Sequence, residues 1–382
     1  MRKEEIKLLK QSYNSEKDEI DRRFNSAIGA DVPSAKKLVK EIFDDFDFNS
    51  FGINWWSSLP TEERILTSDY LFQCATGIEV NLMEAKLHYF EWLDAIESHN
   101  KKIANIVSRD SLGRLVDKMP KSNAPIDELP FKLENMHICG FFRAIDSTLD
   151  CLGATVIGVL ALPCRKSKSM RKGDIRLAQE ALTNLIDLGT SGSKLQIDFR
   201  DFFEKVKVAS GPKNWLEWAD QYRNMYVHRG RRILLTKTSA KKNLFYDSKE
   251  LLIPRSECTI HLGKFPDRSD VEAFIKSEEV VLNEDAEVTL SGIFKSCREL
   301  NENICEQLLS IWKERRNNPS LLEQPQSQWD DKMKDCDFTG YDSNVEKIDV
   351  KLIHSHPNIL KRMRSASVFG SQRKFWNNSK WK

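Results

Sequence analysis

With 382 residues, 40% of them hydrophobic, the chain is long enough for two or three domains and carries apolar side chains for a sizeable core, which excludes a wholly disordered protein. Its 59 Lys and Arg stand against 57 Asp and Glu, a net charge of +2 that points by itself to neither nucleic acid nor membrane. The charge is unevenly placed, because Val350 to Lys382 holds no acidic residue and eight basic ones (Lys351, Lys361, Arg362, Arg364, Arg373, Lys374, Lys380 and Lys382), leaving the rest at −6.

The first residues, "MRKEEIKLLKQSYNSEKDEIDRRF", are charged throughout and lack the apolar segment of a secretory signal. Residues 1–77 read as an N-terminal helical region, with Trp55 and Trp56 beside Pro60 and a helix start at Thr61, where Glu62 and Glu63 favour the first turn. A long helical pattern runs from Asn81 to Ser108, carrying Met83, Leu87 and Phe90, until "PKSNAPIDELPF" breaks it. Next comes the clearest amphipathic seam, Ile138, Phe142, Ile145, Leu149, Leu152, Val156 and Val159, at alternating steps of four and three. The longest apolar run, Cys151 to Cys164, is shorter than the ~20 residues that span a bilayer, so the expectation is a soluble, cytoplasmic protein with no membrane partner.

After a basic loop, "CRKSKSMRKGD", helical stretches are predicted near 173–188 and 194–209, then one opening at Asn214 as N-cap, and a last near 287–315 with Ile293, Cys297, Leu300, Ile304, Leu308 and Ile311. Between the last two, "ECTIHL", "EEVVLN" and "AEVTL" resemble short strands, the last at the edge of the following helix, which predicts a small β-containing insertion at 240–285. The fold class expected is mainly α, with a helical domain over 78–316 and a polar extension over 317–382. The eight cysteines are scattered without a C-x-x-C pair, which argues for buried thiols and against a zinc ribbon or a thioredoxin-like motif.

The stretch "NWLEWADQYRNMYVHRGRR" concentrates the chemistry. At about 100° per residue from Trp215, the residues Trp218, Ala219, Tyr222 and Tyr226 form the core face, Asn224 and His228 fall on the opposite side, and Arg223 sits on the flank near about 80°. Gly230 then weakens the helix, placing His228 in its last turn, where the helix terminus favours the imidazolium while Arg229, Arg231 and Arg232 oppose it.

"RNMYVH" in its setting of long helices, from about residue 81 to 316, resembles the R-x4-6-H signature of the HEPN superfamily, in the form with Asn directly after Arg. The resemblance implies a HEPN-like four-helix bundle and, in catalytic members, a metal-independent endoribonuclease whose two protomers bring their motifs together in one composite site. Carried onto this chain, it assigns Arg223, Asn224 and His228 as catalytic residues, RNA as substrate and a second copy as partner. It implies no metal and no cofactor, leaves room for a regulatory protein partner, and suggests a toxin or antiviral defence effector. The strand insertion after the motif departs from the family pattern.

The residue types suit that chemistry. RNA supplies its own 2′-OH nucleophile, so cleavage needs a proton carrier and a cation for the phosphorane-like transition state. His228 is the acid or base, Arg223 the phosphate anchor, and Asn224 a hydrogen-bonding partner of phosphate or imidazole. The alternative is a non-catalytic helical module binding RNA or a protein, since polar helix faces are commonly just solvated.

Arg229, Arg231 and Arg232 suit either RNA phosphates or an ordinary basic helix end. His137 reads as a structural histidine near a helix start, and Arg143, Asp146 and Asp150 as a surface charge ladder, with a carboxylate available to orient His228. His354 and His356 have no further ligand at metal-site spacing. "GTSGSK" (189–194) lacks the spacing of a phosphate loop. The basic tail mixes Phe369, Phe375, Trp376 and Trp381 with cations, a composition that suits single-stranded nucleic acid, a solubilising tail or a segment that docks on the protein itself.

Overall fold

The seven residues of the seam from Ile138 to Val159 are all buried, each at 1% exposure or less. They belong to a computed structural model that describes residues 30–47, 52–56, 59, 61–108, 125–162, 173–228, 235–236, 239–241, 244–246, 251–254, 281–282 and 286–323. For 61–63, 66, 99–108, 125–131, 221, 224–228 and the strands between 235 and 282, the description is of the backbone.

The fold is mainly α. In chain order come α1 (Pro33–Asp45), β1 (Phe46–Asp47), β2 (Gly52–Ile53), α2 (Thr61–Ser108), α3 (Pro125–Leu160), α4 (Ile175–Thr183), α5 (Ser191–Ala209) and α6 (Trp215–His228). Five short strands follow, β3 (Leu235–Thr236), β4 (Ser239–Lys241), β5 (Leu244–Tyr246), β6 (Leu251–Pro254) and β7 (Val281–Leu282), and then α7 (Ala286–Asn317) with a 3-10 turn at Pro319–Leu321.

The described residues fall into two compact units, one within Met1–Val32, Glu79–Thr148 and Lys205–Leu300, the other within Pro33–Ile78, Leu149–Glu204 and Asn301–Lys382. In the first, the α2 periodicity is carried on its buried side by Leu82, Ala85, Trp92 and Ile96, whereas Met83 of the expected stripe is 39% exposed. That helix starts already at Thr61, so the pattern seen from Asn81 is its continuation. β6 pairs antiparallel with both β3 and β7, and β4 with β5. β7 falls within the expected "EEVVLN" and the other described strands lie before it, whereas "AEVTL" opens α7: Ala286, Leu290 and Ile293 are buried at helical rather than alternating spacing. "ECTIHL" lies outside the described residues, as do the tail with its aromatic residues, His354 and His356.

In the second unit every residue of α3 from Leu152 to Leu160 is buried. The Thr155 hydroxyl there donates to the Cys151 carbonyl at 2.7 Å, which satisfies it inside the core. The end of the helix is held by Arg315, itself fully buried, whose guanidinium donates to the carbonyls of Val159, Leu160 and Leu321. Burial pushes that guanidinium down to about 10, while the carboxylates of Glu323 and Glu314 hold it up. The N-terminal tryptophans acquire a role as well: Trp55 and Trp56 pack edge-on against Trp312, whose Nε1 donates to Asp45 at 2.7 Å. "GTSGSK" is a helix start, since the Thr190 hydroxyl accepts from the Ser193 amide at 3.1 Å.

Candidate functional site on the helix from Trp215 to His228

Gly211 and Asn214 set the entry of α6. A Cβ at position 211 would collide with Ser296 Oγ and Trp215 Cδ1, so only glycine lets this loop press against α7. Asn214 takes a left-handed backbone (φ 63°), which Asn tolerates, and its carbonyl accepts the Trp218 amide at 3.0 Å. It therefore stands where the helix begins, but not in the extended conformation of an ordinary N-cap.

The core face follows the helical-wheel expectation. Trp215, Ala219 and Tyr222 are buried, with Leu216 beside them, and Trp218 is half-buried. Trp218 stacks on Tyr222 (4.8 Å between centroids), and Phe142 of α3 meets Tyr222 at 4.5 Å and Trp218 at 5.9 Å. The side chain of Tyr226 lies outside the described residues.

One turn along α3 from Phe142, the Asp146 carboxylate lies 2.9 Å from Nε of Arg223. The Nε–H is turned off that line, so the contact is an ion pair rather than an aligned hydrogen bond. The Asp146 side chain is 6% exposed and that of Arg223 26%. Asp146 is thus not part of a surface ladder. Arg143 is, at 60% exposure and 3.3 Å from Glu84. At about 100° per residue from Phe142 the seam residues fall between about 0° and −100°, and Asp146, at about +40°, lies just outside them on the flank of Asp150 and Arg143, so periodicity alone grouped it with those charges.

Asn224 and His228 share α6 with Arg223 as expected, with His228 its last residue, but their side chains lie outside the described residues. So do Arg229, Arg231 and Arg232 altogether.

A second polar cluster joins α2 to α3. His88 Nδ1 lies 3.1 Å from His137 Nδ1, so one ring must carry the proton there and the other accept it. His137 stands well inside α3, which begins at Pro125, rather than near its start. A Cβ at Gly140 would collide with the His88 ring, so that glycine provides the notch the ring occupies. Burial lowers the His88 pKa below its ordinary value, against the opposing pull of Glu84, whose Oε1 is 3.7 Å from Nε2. Histidine 88 carried no motif; only the helix pairing discloses it.

Among the described residues no group of three or more His, Cys, Asp or Glu is arranged to hold a metal, and no helix is long and apolar enough to cross a membrane. Comparisons with protein-family models, with curated proteins and with solved structures find no match to this chain.

Proposed function

We propose that the chain is a metal-independent endoribonuclease of the HEPN type, acting as a homodimer through Arg223, Asn224 and His228. The seating of Arg223 is the observation that supports it most. A buried carboxylate on a neighbouring helix anchors the guanidinium by charge, while the side chain keeps partial exposure at the flank of α6. A guanidinium has five donors in a planar fork, so a cation anchored by charge can still donate to a phosphate. Orientation of this kind is what a transition-state clamp requires, because a positioned charge needs no reorganisation as the phosphorane forms. On this reading His228 transfers the proton of the 2′-OH or of the leaving oxygen, Asn224 steadies phosphate or imidazole, and the partner copy supplies the second histidine. Arg229, Arg231 and Arg232 extend the contact to flanking phosphates. A cytoplasmic toxin or antiviral effector, held in check by a protein partner, is the role that fits such an activity.

The second reading, a non-catalytic helical module for RNA or a protein, is favoured by the same ion pair taken as a purely structural link between α3 and α6. Incubation with RNA in excess EDTA separates the two. The enzyme leaves 2′,3′-cyclic phosphate ends and loses activity in His228→Ala and Arg223→Ala; intact RNA with the natural sequence, or undiminished cutting by His228→Ala, rules it out.

A further inference from the structure

A groove of about 730 Å³ opens between the loop before α6 and the first turns of α7. Its volume falls in the ~300–1,000 Å³ range of small-molecule sites. Trp215, Trp218 and Ile293 supply an aromatic and apolar wall, and the buried Thr289 and Ser296 place hydroxyls along it. Lys213 and Lys295 flank the groove against a single carboxylate, Glu299, which lies 3.9 Å from Lys295 Nζ, so the lining carries net positive charge.

Two features of α7 show a surface that the described residues do not fill. Val288, on the rim, is left 54% exposed. Gly292 lies in a continuous helix, where glycine is less favourable than alanine, yet a Cβ there would meet no atom of the described residues within 4 Å. Packing among the described residues does not require that glycine. The missing side chain instead widens the groove opposite the tryptophans.

We infer that this groove binds a nucleotide, with the planar base against the Trp215, Trp218 and Ile293 wall and the phosphate at Lys213 and Lys295. A flat ring matches an aromatic wall, and a phosphate matches a lining with net positive charge. The same chemistry is offered by a free mononucleotide and by one unit of a single-stranded RNA. The site is separate from the Arg223 pair and does not depend on the ribonuclease reading.

Binding of N-methylanthraniloyl-AMP to the full chain, followed by fluorescence anisotropy, tests the inference. Saturable binding is expected, with unlabelled AMP competing at least about tenfold better than adenosine, which lacks the phosphate. Gly292→Phe, which fills the groove from open space, should abolish binding while the melting temperature is kept, and Lys213→Glu should weaken it about tenfold. A fluorescent all-2′-deoxy oligonucleotide, which cannot be cleaved through a 2′-OH, distinguishes the sources: AMP that displaces it identifies a free nucleotide as sufficient, and binding of the oligonucleotide alone, lost in Gly292→Phe, identifies a unit of a strand. No saturable binding of either probe, or binding that survives Gly292→Phe, overturns the assignment. Because the readout is binding, a failure of RNA cleavage leaves it standing.

Discussion

Asp146 of α3 holds Arg223 of α6 at 2.9 Å, carboxylate buried and guanidinium partly in solvent. The pair sits one turn from the Phe142–Tyr222 contact, so apolar packing and charge pairing join the same two helices. Removing one partner of a buried pair typically costs ~3–5 kcal/mol, and the partial exposure of Arg223 places Asp146→Ala near the low end, about 3 kcal/mol. Urea unfolding measures it. Asp146→Asn, which preserves shape, should lose less stability yet slow RNA cleavage, if Arg223 acts as proposed; an unchanged cleavage rate would reduce the pair to a structural link.

Tyr222→Ala removes a fully buried ring and should cost roughly 3–5 kcal/mol. A double-mutant cycle with Phe142→Ala should show coupling of about 0.5–1.5 kcal/mol, the extra attraction of paired rings. Additive losses would mean that the rings are merely neighbours.

Acid should loosen the contact between His88 and His137. The folded-state pKa of His88 is lowered, chiefly by burial, so below about pH 6.5 the unfolded chain binds a proton that the folded chain resists. Stability is therefore fully present above that point and falls with decreasing pH until the folded-state pKa is passed. Glu84, Glu91, Arg143 and His137 face this ring, and the carboxylates oppose the shift. Urea midpoints measured between about pH 5 and 8 should fall on the acid side, and less so in His88→Gln. Equal slopes in the two proteins would remove His88 as the cause.

Arg315 is bound on two carbonyls at the end of α3 and a third in the 3-10 turn after α7. Arg315→Ala strands those acceptors and opens a cavity, for an expected loss of about 3–5 kcal/mol. Arg315→Lys keeps the charge without the fork and should fall between. Chemical denaturation of both variants ranks them, and a lysine variant as stable as the natural protein would show that charge suffices.

Gly292→Ala should raise stability by up to about 1 kcal/mol, because the position is helical and the added methyl meets none of the described residues. A fall in the thermal midpoint would show that the glycine's backbone is needed as it stands.

The seam from 138 to 159 and the helix from 286 to 317 were legible because apolar residues recurring every three or four positions leave little choice of which face to bury, whereas "PKSNAPIDELPF", read as a break, already enters α3 at Pro125. Apart from β7 within "EEVVLN", the short strands were not: "LFY" and "LLIP" are too brief for alternation to show, and pairing depends on a partner distant in sequence. The split between Met83 and Leu82 on α2 was missed for a related reason, since both stripes are apolar and only the packed neighbours choose between them.

The sequence by itself determined the helical class, the core faces of α3, α6 and α7, and the placing of Arg223, Asn224 and His228 on one helix, all consequences of local periodicity. Only tertiary structure decided that Asp146 is buried against Arg223, that His88 meets His137 in the notch left by Gly140, and that the loop at Gly211 leaves a groove beside Gly292. Those relations join residues far apart in the chain. Their energies come from the desolvation of charge and the exclusion of atoms from shared space, which no single stretch of sequence contains.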